Sequence, residues 1–259
     1  MTKIATWNIN SLTVRLPQVI DWLAANPVDA LCLQELKLTD DKFPFKDLEG
    51  VGYHSAVFGQ KTYNGVAILS RTAPRDVARN ITGFADEQSR VISCTLDMPQ
   101  GEVRIVNGYF VNGQEPSSEK FAYKMKWLTG LKGMLQSEMS VHAKLVLLGD
   151  FNITVDDRDT YDAEGLRETI HHTTEERNHF QALIGLGLID AFRMFDQPEK
   201  SYSWWDYREF GFRRNRGLRI DHILVSEALK MAVSGCVIDK TPRKNERPSD
   251  HAPVILELA

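Results

Sequence analysis

Apolar residues along this chain fall into two periods. Short apolar and β-branched runs at 3–7, 29–34, 53–58, 65–70, 91–96, 103–109, 145–149, 188–192, 202–206, 219–225, 233–238 and 253–258 predict strands, bounded by Gly, Pro, Asn or Asp. Residues 12–25 repeat differently. Leu12, Leu16, Val19, Ile20 and Leu23 form a stripe at helical spacing, which Asn26-Pro27 stops. Residues 118–137 place Phe121, Met125, Leu128, Leu131 and Leu135 on one face, with Ser117 or Ser118 positioned as a cap. Residues 175–184 read as a further helix, and the polar, acid-rich 156–174 as loop with at most a short helix. No repeat, low-complexity tract or Gly/Ser linker divides the chain, so residues 1–259 read as one domain. Many strands and few helices in one domain imply an α/β (α+β) fold of two mixed sheets packed face to face and covered by helices.

Polar residues gather where these strands stop. The run Leu145-Val146-Leu147-Leu148 ends in Gly149-Asp150-Phe151-Asn152. Gly149 permits a tight turn, and Asp150 and Asn152, two apart, point the same way in an extended exit. Taken alone, the stretch reads more simply as a strand followed by an Asx turn. The first strand ends in Asn8-Ile9-Asn10-Ser11 and the second in Gln34-Glu35, with a helix between them. That is a βαβ unit, whose ligands gather at the carboxyl edge.

Composition narrows the setting. Hydrophobic residues make up 42% and charged residues 25%, ordinary values for a soluble globular protein. A net charge of −4 gives no global attraction to nucleic acid, so such a site must be a local basic patch. Cys32, Cys94 and Cys236 sit among apolar residues without metal-ligand spacing and read as buried thiols in a reducing compartment. No long apolar segment suggests a signal or membrane span, and the expectation is a cytoplasmic protein with nothing that calls for an oligomer.

The strand-end residues are Asn8, Asn10, Glu35, Tyr109, Asp150, Asn152, Asp221 and Asp250-His251. With no cysteine and one histidine in the set, hard oxygen ligands favour magnesium or manganese over structural zinc. A hard cation, a general base and neutral donors suit hydrolysis of a phosphate ester. Asp221-His222 and Asp250-His251 each set an acid beside a histidine. His251, after Pro248-Ser249, is expected exposed at a rim, and His222, within an apolar run, packed. Singly, Glu35 reads as well as a solvated acid, and Tyr109 as a core or rim aromatic.

Two basic clusters follow. Arg208, Arg213, Arg214, Arg216 and Arg219 interleave with Trp204, Trp205, Tyr207, Phe210 and Phe212; Lys240, Arg243, Lys244 and Arg247 form the second. A solvated face over core aromatics is the plain explanation. On a net acidic chain, arginines among aromatics favour phosphate contacts plus stacking at bases.

The stretches Trp7-Asn8-Ile9-Asn10-Ser11-Leu12, Leu33-Gln34-Glu35-Leu36-Lys37, Asn107-Gly108-Tyr109-Phe110, Leu148-Gly149-Asp150-Phe151-Asn152-Ile153, Gly217-Leu218-Arg219-Ile220-Asp221 and Pro248-Ser249-Asp250-His251 resemble the exonuclease III family of DNA repair nucleases. These lie within the wider endonuclease/exonuclease/phosphatase superfamily, and the match runs in order along the whole chain. The resemblance implies a four-layered α/β sandwich with the site at one edge of its sheets. It implies that Glu35 holds a divalent ion with Asn8 and Asp250 nearby, within reach of Asp150, Asn152 and His251. Asp150 would prepare the attacking water, Asn152 and Tyr109 would contact the phosphate, and His251, steadied by Asp221, would act on the transition state. Trp204, Trp205 and Leu218 would line a pocket for a baseless sugar or a 3′-terminal nucleotide, and Asn10, Arg208 and Arg216 would meet the DNA.

Around Ile170-His171-His172-Thr173, better-known members carry small or apolar residues. The histidine pair resembles a bacterial sub-branch that acts mainly on 3′ ends, and an imidazole at His171 would obstruct DNA continuing past an extruded abasic site. Otherwise both histidines are solvated loop residues. The expected activity is a magnesium-dependent 3′→5′ exonuclease and 3′-end-cleaning phosphodiesterase on duplex DNA, with abasic-site cleavage strong or weak. Competing readings are an abasic-site endonuclease, a phosphatase of small phosphoesters, and a non-catalytic DNA-binding module. The Arg/aromatic stretch argues against the phosphatase, and the intact acid set against the binding module.

Overall fold

The computed structural model describes all 259 residues. Fourteen strands and four α-helices follow in the order β1 (Thr2–Asn8), α1 (Leu12–Ala25), β2 (Ala30–Gln34), α2 (Phe45–Gly50), β3 (His54–Phe58), β4 (Val66–Ser70), β5 (Arg75–Arg79), β6 (Val91–Met98), β7 (Gly101–Tyr109), α3 (Glu119–Val141), β8 (Leu145–Asp150), α4 (Thr174–Ile184), β9 (Leu188–Asp190), β10 (Trp204–Trp205), β11 (Gly217–Leu218), β12 (Asp221–Ser226), β13 (Val233–Ile238) and β14 (Val254–Leu258).

Two six-stranded sheets form, in the orders β13-β14-β1-β2-β4-β3 and β5-β6-β7-β8-β12-β9. Each has one parallel pair, β1 with β2 and β7 with β8, in an otherwise antiparallel sheet. Strand period dictates the layers. In β1, Ile4 faces the other sheet and Ala5 faces α1; in β8, Val146 and Leu148 face inward while Leu145 and Leu147 meet α3. Inner residues such as Cys32, Ile68, Ile105, Ile223 and Leu256 fill the inter-sheet core. Trp22 and Leu23 of α1 cover one outer face, and Trp127 and Leu131 of α3 with Phe180 of α4 cover the other. The result is the expected sandwich of helices, sheet, sheet and helices.

The same parity places the site. Asn8 continues the inner face of Ile4, Tyr109 that of Ile105, Asp150 that of Val146 and Leu148, and Asp221 leads into Ile223. Asp221 pairs directly with Asp150 across β12 and β8. Two buried amides tie the sheets together behind this edge. Gln34 donates to Asn107 at 2.7 Å, and Asn107 donates to the carbonyls of Leu33 and Ala67 at 3.0 and 2.9 Å.

Several elements differ from expectation. β5 has no apolar period because it is an exposed edge strand, joined to β6 through a bulge. Residues 188–192 keep only a short strand before Asp190 caps a helical turn, its carboxylate accepting from the Phe192 N–H. Residues 202–206 pair only at Trp204–Trp205, against Leu218 and Gly217. Ser118 is the cap of α3, accepting from the Phe121 N–H. No helix is long and apolar enough to cross a membrane.

Candidate active site

Four of the segments that carry the site have strained backbones. Asn10, Ser11, Glu35, Lys37, Asn152 and His171 all have positive φ, unusual for residues with side chains. Gly149 supplies the close approach that lets Asp150 turn in: a Cβ there would lie 1.9 Å from the Gly108 carbonyl oxygen.

Asn8 joins the sheets. Its amide nitrogen donates to Glu35 Oε1 and to Asp150 Oδ2, each at 2.9 Å. Asp150 also accepts from the Asn152 backbone at 3.0 Å and its side chain at 3.3 Å. Opposite stands His251, whose Nδ1–H donates to Asp221 at 2.9 Å and whose Nε2 lies 3.8 Å from Asp150. Asp221 is held in turn by the Ser203 hydroxyl at 2.6 Å. Ligand atoms of Glu35, Asp150 and His251 all fall within 4.8 Å of one another, a grouping able to hold a cation.

The charges here are poised. Burial pushes the Asp150 carboxyl up to about 7, against the pull of His251, with Asp221 adding to the rise. Burial disfavours the His251 imidazolium, yet Asp221 and Asp150 outweigh it and hold the ring up at about 10. Burial and the Glu35 and Asp150 carboxylates push the Tyr109 phenol well above its ordinary range, keeping it a donor. Arg90 lies over that ring at 4.9 Å. Asp250 remains below its ordinary value despite burial, because His251, Asn10 and Trp204 favour its ionised form.

Beside this centre, a cavity of about 480 Å³ is lined by Trp204, Leu218, Arg208, Arg216 and His171, all foreseen, and by Tyr161, which was not. His171 donates from Nδ1 to the Asn152 carbonyl at 2.6 Å. Burial, with Lys124 nearby, lowers its ring to about 3, so it stands neutral.

Four expectations are corrected. His251 is only 4% exposed rather than at a rim, because its carbonyl accepts from the Trp7 indole and its ring is enclosed against Asp221. Trp205 is fully buried and does not line the cavity; it packs edge-on against Phe212 and donates to Asn215. Arg219 is no part of a basic rim, being buried between Asp159 and Asp190. Arg243 is also buried, donating to the Ser249 carbonyl. Asp250, expected near the ion, accepts from Asn10 at 2.9 Å and from Trp204 at 3.0 Å. Arg208 and Arg216 do reach the cavity, paired with Asp206 and Glu209. Lys37, quoted in the Glu35 stretch but given no role there, bridges Glu35 at 2.8 Å and Asn10 at 2.6 Å. His222 is packed as expected, bonded to the Ile153 carbonyl at 2.8 Å.

Comparison with known proteins agrees with this geometry. Exodeoxyribonuclease III of Haemophilus influenzae is 36% identical over 265 residues, covering 99% of both chains. A 3′ phosphatase from Neisseria, solved with a product DNA hairpin, superposes with a TM-score of 0.97 at 50% identity over both whole chains. A 3′-5′ exonuclease from Neisseria meningitidis gives 0.95 at 50% identity, covering 99% of each chain. An AP endonuclease from Archaeoglobus fulgidus gives 0.93 at 34% identity, over 100% of this chain and 99% of that one. Residues 5–251, from the first strand to the buried histidine, match the endonuclease/exonuclease/phosphatase family, and it is to this family that the chain belongs.

Proposed function

We propose that this chain is a divalent-cation-dependent DNA repair nuclease, using magnesium or manganese, that works from 3′ ends of duplex DNA. It degrades the strand 3′→5′ and releases 3′ phosphates, with incision at internal abasic sites as a lesser activity. The observation that carries the reading is the Asn8 amide bridging Glu35 and Asp150 opposite a histidine paired with Asp221.

The donor set fits a hard cation. Glu35 and Asp150 present carboxylate oxygens within one small group, and burial with Asp221 keeps the Asp150 carboxyl raised even with His251 beside it. Glu35 would hold the ion, with Asn8 and Asp250 supporting it. Bound there, the ion supplies charge neutralisation at the phosphoryl oxygens. Asp150, poised near neutrality, takes the proton of the attacking water. Asn152 and the protonated Tyr109 donate to phosphate oxygens. His251 sets a positive charge beside the scissile group. Trp204 and Leu218 receive the terminal sugar, while Asn10, Arg208 and Arg216 contact the flanking strand.

The preference for ends rests on His171, which lines the receiving cavity, and is supported by the two Neisseria relatives that act at 3′ ends. Two labelled duplexes test the proposal, one with a recessed 3′ end and one with an internal abasic analogue and blocked ends. Magnesium-dependent degradation of the first, with much weaker incision of the second, is expected, and both are abolished by EDTA. Efficient incision of the second would make abasic cleavage the main activity, and no metal-dependent cleavage of either would overturn the nuclease reading.

A further inference from the structure

Behind the His171 rim lies an ion pair that the chemistry above leaves unused. Lys124 of α3 and Glu176 of α4 are in contact, and both side chains are fully buried. Lys124 has three N–H donors, and each is engaged: with Glu176, with the Asn112 carbonyl at 3.1 Å and with the Asn152 carbonyl at 2.8 Å. Glu176 Oε1 also accepts the His171 backbone N–H at 3.1 Å. Its Oε2 accepts the Thr173 backbone at 3.1 Å and hydroxyl at 2.8 Å.

A pair buried this deeply adds little net stability, since desolvating both charges offsets their attraction. An apolar pair would join the two helices as well. What it would not do is fix three loops at once. His171 has a φ of +70°, a backbone conformation that outside bonds must sustain. Glu176 holds its N–H. The Asn152 carbonyl, itself held by Lys124, accepts from the ring Nδ1–H at 2.6 Å. Nε2 is then a lone pair facing the Asn112 amide at 3.5 Å, and that amide also reaches Asn152 Oδ1 at 3.2 Å.

We infer that the Lys124–Glu176 pair positions the 3′-end selectivity of this enzyme. It holds His171 at the cavity wall as a single Nδ1–H tautomer and locks that wall to Asn152, beside Asp150. The link to selectivity rests on the proposed function; the locking of His171 does not. Both residues act through His171 and Asn152 and are positioning residues.

Two variants test this: Glu176→Gln, and the double change Lys124→Met with Glu176→Met, which leaves no buried charge unpaired. Nitrogen-15 NMR of the His171 ring should show only the Nδ1–H tautomer in the parent protein and a mixture in both variants. Internal abasic incision relative to recessed 3′-end degradation, measured below the melting temperature of each variant, should rise about tenfold. Adding His171→Gly to either variant should bring no further change in the ratio beyond His171→Gly alone, because the pair acts through that residue. A retained single tautomer, or activities that fall together at an unchanged ratio, would overturn the inference. If the parent protein cleaves neither duplex, the nuclease reading fails, and the tautomer measurement still decides whether the pair locks His171.

Discussion

Asp221 and His222 are adjacent in β12 and belong to different ionic groups. Asp221 faces the gap between the sheets and meets His251. His222 faces outward onto the rings of Phe151 and Phe180, near Asp159, Asp190 and Arg219. Both groups are buried, and their electrostatics are opposite. Arg219 reaches Asp159 at 2.7 and 3.0 Å and Asp190 at 2.8 Å. Burial raises Asp159, but Arg219 outweighs it and holds the carboxyl down at about 2. Burial, with Arg219 adding to it, lowers His222 to about 4, and the ring stays neutral. Across the strand, Asp150 is pushed up and His251 is held protonated. Burial alone therefore does not mark the reactive group. Unmatched charge does, and β12 separates the matched group from the unmatched one.

Substitutions at the two groups should separate activity from stability. Asp150→Asn is expected to lower kcat on a recessed 3′ end by about 10³-fold without lowering the melting temperature, since it removes a carboxyl that burial already disfavours. A large loss of stability instead would place Asp150 with the structural acids. Asp159→Asn should do the reverse, costing about 3–5 kcal/mol in denaturant unfolding by leaving Arg219 short of a buried partner. Its kcat per folded molecule should stay near that of the parent, and a selective fall in kcat would erase the distinction. His171→Gly should raise internal abasic incision about tenfold relative to end degradation; no gain would remove His171 from selectivity.

Acidity gives a finer separation. Asp150 keeps its proton up to about 7 in the fold, so without an ion it contributes stability below its ordinary carboxylate pKa and loses that contribution as pH rises toward 7. A cation bound there must displace that proton. The rise in melting temperature produced by magnesium should therefore be larger at about pH 8 than at about pH 5.5. Equal rises at both would mean that the ion does not touch Asp150.

Much of this was legible in the sequence because strands buried on both faces read as apolar runs, and their ends read as sudden polarity. Asp150, Asn152, Glu35 and Asn8 stand out for that reason. What the sequence could not show was pairing at long range. Asn8 meets Asp150 across 142 positions and Trp7 meets His251 across 244, and only sheet register brings them together. The same blindness left His251 at a rim and counted Arg219 among exposed arginines, although its partners Asp159 and Asp190 lie far along the chain. Trp204 and Trp205 look alike in sequence; alternation sends one to the cavity and the other to the core. β5 left no signal because an exposed edge strand needs no apolar face.

The position of β14 bears on how the protein folds. It sits inside its sheet between β1 and β13, and His251 shortly precedes it. On one side β1 pairs with β2, its near neighbour in sequence, while on the other Thr2 faces Leu258 of β14. Pairing at such separation carries a large loop-closure cost and is slow to form. The strand that fills this gap also carries the histidine to Asp221, so closing the sheet and completing the site are one event.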